Sequence, residues 1–181
     1  MPEPAGLGWR CHSGWAVLVV VAGAASAPVI RFRQRVELLD GSLPRQPYHA
    51  AAEGGIPRSE GEQLISRVEG MAVASAEAAT NTAMERWGVR SVGIVGGSRN
   101  VPGELDRILR SHALLHAAEG ELYEEACADA AARCGLPVRL VAPKTIVVDA
   151  AVDQAGRTLG PPWQKDHKLA ATVALAALRQ L

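Results

Sequence analysis

The stretch 110–125, RSHALLHAAEGELYEE, concentrates imidazoles and carboxylates on what reads as a single helix. His112 and His116 stand at i and i+4, so both project from one helical face, and Glu119 adds a neighbour at i+7. Two imidazoles and a carboxylate in that register can hold a divalent metal and leave coordination positions open to water. The pattern is not HExxH, because Ala113 stands where the general base would be. A structural helix with histidines on its polar or half-buried face has the same spacing. Gly120 is a point at which the helix could divide, and Tyr123 lies one turn beyond Glu119.

A second group, Lys165, Asp166, His167 and Lys168, opens the last helix. In the structural reading, Asp166 complements the helix dipole for about 0.3–1 kcal/mol. In the chemical reading Asp166 is a metal ligand or general base and His167 a proton shuttle, so that catalytic roles fall to Asp166, His167 and Glu119. Arg31, Arg33 and Arg35 alternate along one strand at a spacing that could meet successive phosphates, and Lys144 could extend the basic rim. A solvated strand face has the same look. The turn GIVGGSRNVPGE follows a β-branched run, and its amides could cradle a phosphate with Ser98 and Arg99 assisting. It matches neither GxGxxG nor the P-loop.

These residues must be positioned by a chain of 181 residues, the length of one domain over 1–181 and enough to bury a core. Aromatics are only 4% of a sequence that is 48% hydrophobic, so Ala, Val and Leu must fill that core. Nineteen basic residues balance nineteen acidic ones. A global pull toward nucleic acid or anionic lipid is therefore absent, though a local patch is allowed. Cys127 and Cys134 lie seven positions apart on one expected helix, about 10 Å along its axis, too far to bridge. No CxxC occurs, so the thiols read as reduced and buried and the compartment as cytoplasmic. No segment is long enough to span a membrane.

The apolar run WAVLVVVAGAASAP has two readings. It could be the core of a signal peptide cut after Ala25-Ser26-Ala27, making residues 1–27 a leader. Alternatively it is a buried strand over 15–21 paired with a second strand over 28–39, with the three arginines on one side and Ile30, Phe32 and Val36 on the other. A Pro- and Gly-rich connection over 40–59 follows, with a short helical turn in PRQPYHAAA. Then come an Ala-rich helix ending at Gly88, a buried strand in VRSVGIV, a helix over 104–133, a strand in LPVRLVAPKTIVV and a closing helix after GPPW. The order hairpin, helix, strand, helix, strand, helix predicts an α/β fold. Its mixed sheet has an N-terminal hairpin and parallel strands flanked by helices.

With that order, HSGWAVLVVV, GLPVRLVAPKTI and KDHKLAATVALAAL resemble the RNase H-like superfamily, with the RuvC-type Holliday-junction resolvases the nearer branch. The resemblance implies a nucleic-acid partner and two metal ions, magnesium or manganese, held by several carboxylates. The family's first-strand Asp falls here on Trp9, Arg10 or Cys11, and its acid at the end of the strand after the first helix falls on Gly96-Gly97-Ser98. Only Asp166 matches, at the closing helix. The resemblance thus implies a nucleic-acid-associated protein without standard two-metal cleavage. Any residual metal-dependent hydrolysis would rest on His112, His116, Glu119 and Asp166. A non-enzymatic interaction module of the same fold is the alternative, and a secreted protein with a cleaved leader a third.

Overall fold

The computed structural model describes residues 3–97 and 100–180, and its strands form one mixed sheet in the order β3-β2-β1-β4-β5. Strands β1 (Ala5–His12), β2 (Trp15–Ala24) and β3 (Ala27–Glu37) run as an antiparallel meander. Strand β4 (Val89–Val95) pairs parallel with β1, and β5 (Val138–Val141) pairs parallel with β4. The expected α/β mixed sheet is therefore present, with one correction. The hairpin is a three-stranded meander, and the strand missed from the sequence, β1, lies at the centre.

Helices cover both faces. Helices α2 (Arg58–Trp87) and α4 (His112–Arg133) pack on the face presented by Leu7, Trp9, Leu18 and Ile94. Helices α5 (Ala150–Arg157) and α6 (Lys165–Leu178) pack on the face presented by Val17, Val19 and Val21. Strand β2 is thus buried on both sides. Two-sided burial removes the apolar–polar alternation and leaves a continuous valine run, which is why the segment also looks like a leader core. In the fold, Ala25 and Ser26 form the turn into β3.

β1 escaped notice because of its glycines, which ordinarily weaken a strand. Here they serve close approach. A Cβ on Gly6 would collide with the Ala174 carbonyl oxygen, and one on Gly8 with that of Ala170. Gly93 on β4 meets the Val173 carbonyl in the same way. Helix α6, rich in alanine, therefore lies almost directly on the backbone of the two central strands.

β3 departs from simple alternation. The register shifts between Val20 and Val21, which pair with Phe32 and Ile30, leaving Arg31 as the extra residue. Ile30 consequently packs with the α6 side, while Phe32 and Val36 pack with the α2–α4 side. The reading that put all three on one face is corrected by this bulge.

The long helix expected over 104–133 divides at Arg110 and Ser111 rather than at Gly120. A short α3 (Leu105–Leu109) ends there, and Ser111 caps α4 by accepting from Leu114 N at 3.4 Å. The expected helical turn near Tyr48 is α1 (Pro47–Glu53). β5 is shorter than predicted, ending before a 3-10 turn at Pro143–Thr145. Helix α5, unread in the sequence, is capped by Asp149, whose carboxylate accepts from Ala151 N and Val152 N. All three cysteines are free; Cys11 and Cys127 are buried with their Sγ atoms 3.5 Å apart, and Cys134 is half-buried. Among the described residues no helix is long and apolar enough to cross a membrane.

Candidate functional site

Strand alternation sends Arg10 and His12 to the same side of β1 as Gly6 and Gly8, toward α6. There the closing helix begins. Asp166 Oδ2 lies 2.9 Å from His12 Nε2, and its Oδ1 lies 3.6 Å from Arg10 Nε. All three side chains are partly exposed, at 24% for Arg10, 29% for His12 and 30% for Asp166, so the cluster is reachable from solvent. Trp15, opposite His12 across the β1–β2 turn, stacks on the His12 ring at 4.1 Å between centroids. The Arg35 guanidinium sits over the same indole at 3.8 Å. A cleft of about 330 Å³ opens here, lined by Trp15, Val17, Arg35, Asp166 and His167 among others.

The start of α6 is held by a second carboxylate. Asp153 on α5 accepts from Trp163 Nε1 at 2.9 Å and from Arg157 at 2.8 Å, and pairs with Lys168 Nζ at 3.0 Å. The hydrogen bonds from Arg157 and Lys168 hold its carboxyl well below the usual carboxylate range. One residue on α5 thereby anchors both the loop before α6 and its first turn. His167, expected as a proton shuttle, instead accepts from Gln164 N through Nδ1 at 3.2 Å and caps its own helix. Burial, then the nearby Arg33 charge, pushes its pKa down, which suits a neutral ring acting as acceptor.

The structure does not gather the expected basic stripe. Arg31 pairs with Glu3 at 3.2 Å. Arg33 donates to the carbonyls of Gly160 and Pro161 at 2.9 and 3.0 Å, tying β3 to the loop before α6. Arg35 pairs with Glu37 at 2.6 Å and borders the cleft. Lys144 follows β5, on the edge of the sheet opposite β3.

Nor does it gather the expected metal set. Asp166 sits with Arg10 and His12 on the α6 side. Glu119 is turned inward on α4, accepting from the backbone amides of Tyr48 and His49 at 2.9 and 3.1 Å and lying 3.3 Å from His49 Nδ1. Burial raises its pKa from 4.5, while the hydrogen bonds from His49 and Tyr48 oppose that rise. The group that does converge is His49, His112 and His116, whose nitrogens lie within 4.8 Å of one another. His49, on α1, was missed because it reaches His112 only through the tertiary docking of α1 on α4. The sole local signal was the helical turn in PRQPYHAAA. Tyr123 donates to the Arg45 carbonyl at 2.7 Å, a structural bond.

In the glycine-rich turn after β4, the Gly97 amide donates to Glu124 Oε2 at 3.2 Å, so that amide already has a side-chain acceptor. The expected assistants Ser98 and Arg99 lie outside the described residues.

No protein-family model matches the chain, and no curated protein is similar to it in sequence. Solved structures are similar in fold. Thermus thermophilus RuvC in complex with a Holliday junction substrate superposes with a TM-score of 0.52 at 15% identity, over 95% of this chain and 89% of that one. A second Thermus thermophilus RuvC structure gives 0.51 at 16% identity, over 95% and 90% of the two chains. At that identity the likeness is one of architecture: this chain has the RNase H-like α/β fold of RuvC.

Proposed function

We propose that this chain is a nucleic-acid-associated protein of RuvC-like fold that holds its partner without two-metal cleavage. The observation that carries the reading is Arg10 beside Asp166 at the end of β1. Two-metal phosphoryl chemistry needs several carboxylates, because two divalent ions must be offset where the attacking and leaving oxygens meet. At the positions the RNase H-like resemblance assigns, the described residues supply one carboxylate, and both of its oxygens face cationic or protonatable groups, Arg10 and His12. A guanidinium already fills the role of counter-charge to Asp166. A pair of magnesium ions does not fit this donor set.

Support for nucleic acid as the partner comes from two directions. One is the fold shared with RuvC, solved with a Holliday junction. The other is the cleft beside Asp166, whose aromatic and basic lining of Trp15, Arg33 and Arg35 is of the kind that single-stranded nucleic acid uses, with the Trp15 indole held between His12 and Arg35. With zero net charge, affinity must come from this local patch and must fall with salt by about one power per phosphate contact.

The test is fluorescence anisotropy with a labelled four-way junction, matched duplex and single strand between roughly 50 and 200 mM salt. Wild type is expected to bind at low salt. Arg35→Gln is expected to weaken binding and to reduce the slope of log K against log salt by about one. No binding to any of the three at the lowest salt refutes the proposal.

A further inference from the structure

We infer that His49, His112 and His116 form a binding site for a single borderline transition-metal ion, zinc above all, with Glu119 as the group that orients His49. This site is separate from the cluster around Asp166, lying at the junction of α1 and the start of α4, and it does not depend on nucleic-acid binding.

Three of the chain's five histidines meet here. Their ring centroids are 4.5 Å (His112–His116), 4.8 Å (His49–His116) and 5.8 Å (His49–His112) apart. The i, i+4 pair comes from α4, and the division of the long helix at Ser111 makes His112 its first residue. The third ligand arrives from α1, whose Pro47 at its first turn starts the helix immediately before Tyr48 and His49.

Glu119 gives the cluster its chemistry. Its side chain is only 3% exposed, and Oε1 takes the His49 amide, the Tyr48 amide and the His49 ring at Nδ1. With the Nδ1 proton directed at the carboxylate, the free Nε2 of His49 is the ring nitrogen left to act as ligand. A carboxylate–histidine pair of this kind fixes the tautomer and raises the basicity of a metal-bound imidazole. A buried glutamate that engages one histidine through both its amide and its ring, and the preceding Tyr48 amide as well, has that consequence.

Ligand type selects the ion. Imidazole nitrogens suit zinc, copper and nickel, whereas magnesium and manganese favour oxygen donors. Tetrahedral zinc with bonds of about 2.0–2.1 Å wants its nitrogens roughly 3.3 Å apart, closer than the 4.8 Å span here. His112 and His116 are exposed, so rotation about their side-chain bonds closes that difference without disturbing the core. Three protein nitrogens leave a fourth position for water or another ligand.

The experiment is zinc titration of the full chain against a chromophoric chelator, with metal counted by mass spectrometry after dialysis. Wild type is expected to retain one zinc per chain and to show a raised melting temperature with zinc but none with magnesium. His116→Gln, at an exposed position where folding is not at stake, and His112→Gln should each lose that retention. His12→Gln, in the other cluster, should keep it. Glu119→Gln, folded by circular dichroism, should retain the stoichiometry with affinity lowered about 10- to 100-fold. Zinc retention that is absent in wild type, or unchanged in both His112→Gln and His116→Gln, overturns the assignment.

Discussion

Replacing Gly8 by alanine tests how closely α6 must lie on the sheet. A Cβ at this position collides with the Ala170 carbonyl oxygen and comes within 3.1 Å of the Ala174 Cβ. The obstruction is helix backbone, not the tip of a flexible side chain, so relief requires α6 to move as a unit. Overpacking of a tight core costs about 1–3 kcal/mol, and an immovable neighbour puts Gly8→Ala at about 2–3 kcal/mol. In a chain of this size that lowers the melting temperature by about 4–12 °C. Gly70 is the matched control. It lies in the middle of α2, and a Cβ there meets nothing within 4 Å. Gly70→Ala should therefore stabilise by about 0.5–1 kcal/mol, through helix propensity and a less free unfolded chain. Urea unfolding followed by circular dichroism, with thermal melts alongside, measures both. A neutral or stabilising Gly8→Ala, or a shift of the midpoint in the same direction by both substitutions, contradicts the close seating of α6 on β1.

Two further outcomes follow from groups beneath and beside the candidate site. Asp153 has its folded pKa held below its ordinary 3.8, so the stability it contributes is present above that value and is lost as pH falls through the lowered one. Between pH 5 and pH 2 the unfolding midpoint of wild type should therefore drop more steeply than that of Asp153→Asn; equal slopes refute the assignment of Asp153 as the anchor of α6. Thiol titration of the native protein should modify Cys134 first, slowed by burial and Glu77 pushing its thiol pKa up, while Cys11 and Cys127 react only on unfolding, because both are buried with their sulfurs together. Fast reaction of all three in the native state contradicts that packing.

What could be read from the sequence was whatever depends on local pattern. The α/β class, the helix ending at Gly88, the parallel pair β4–β5 and the Ala-rich closing helix all follow from periodicity and stop signals. What could not be read depends on contact between distant segments. β1 carries no strand signal because its glycines meet α6, and that meeting is invisible until α6 is docked. The Arg31 bulge moves Ile30 to the other face, which an alternation rule cannot anticipate. In the metal set, the i, i+4 histidines are a local signal and do come together. Glu119, at i+7, turns inward to His49, a partner 70 residues away, while His112 and His116 stay on the exposed face of the helix. Arg10 and Asp166 were both visible as residues, but their pairing follows only from the packing of α6 on β1.

The end of β1 carries a guanidinium against Asp166 where two-metal cleavage needs acids. The most direct test is a gel assay with labelled four-way junction at protein concentrations that saturate binding, in magnesium and separately in manganese, over hours. A bound, uncut junction is expected in both metals. Metal-dependent cleavage by the wild-type chain that disappears in Asp166→Asn would contradict it.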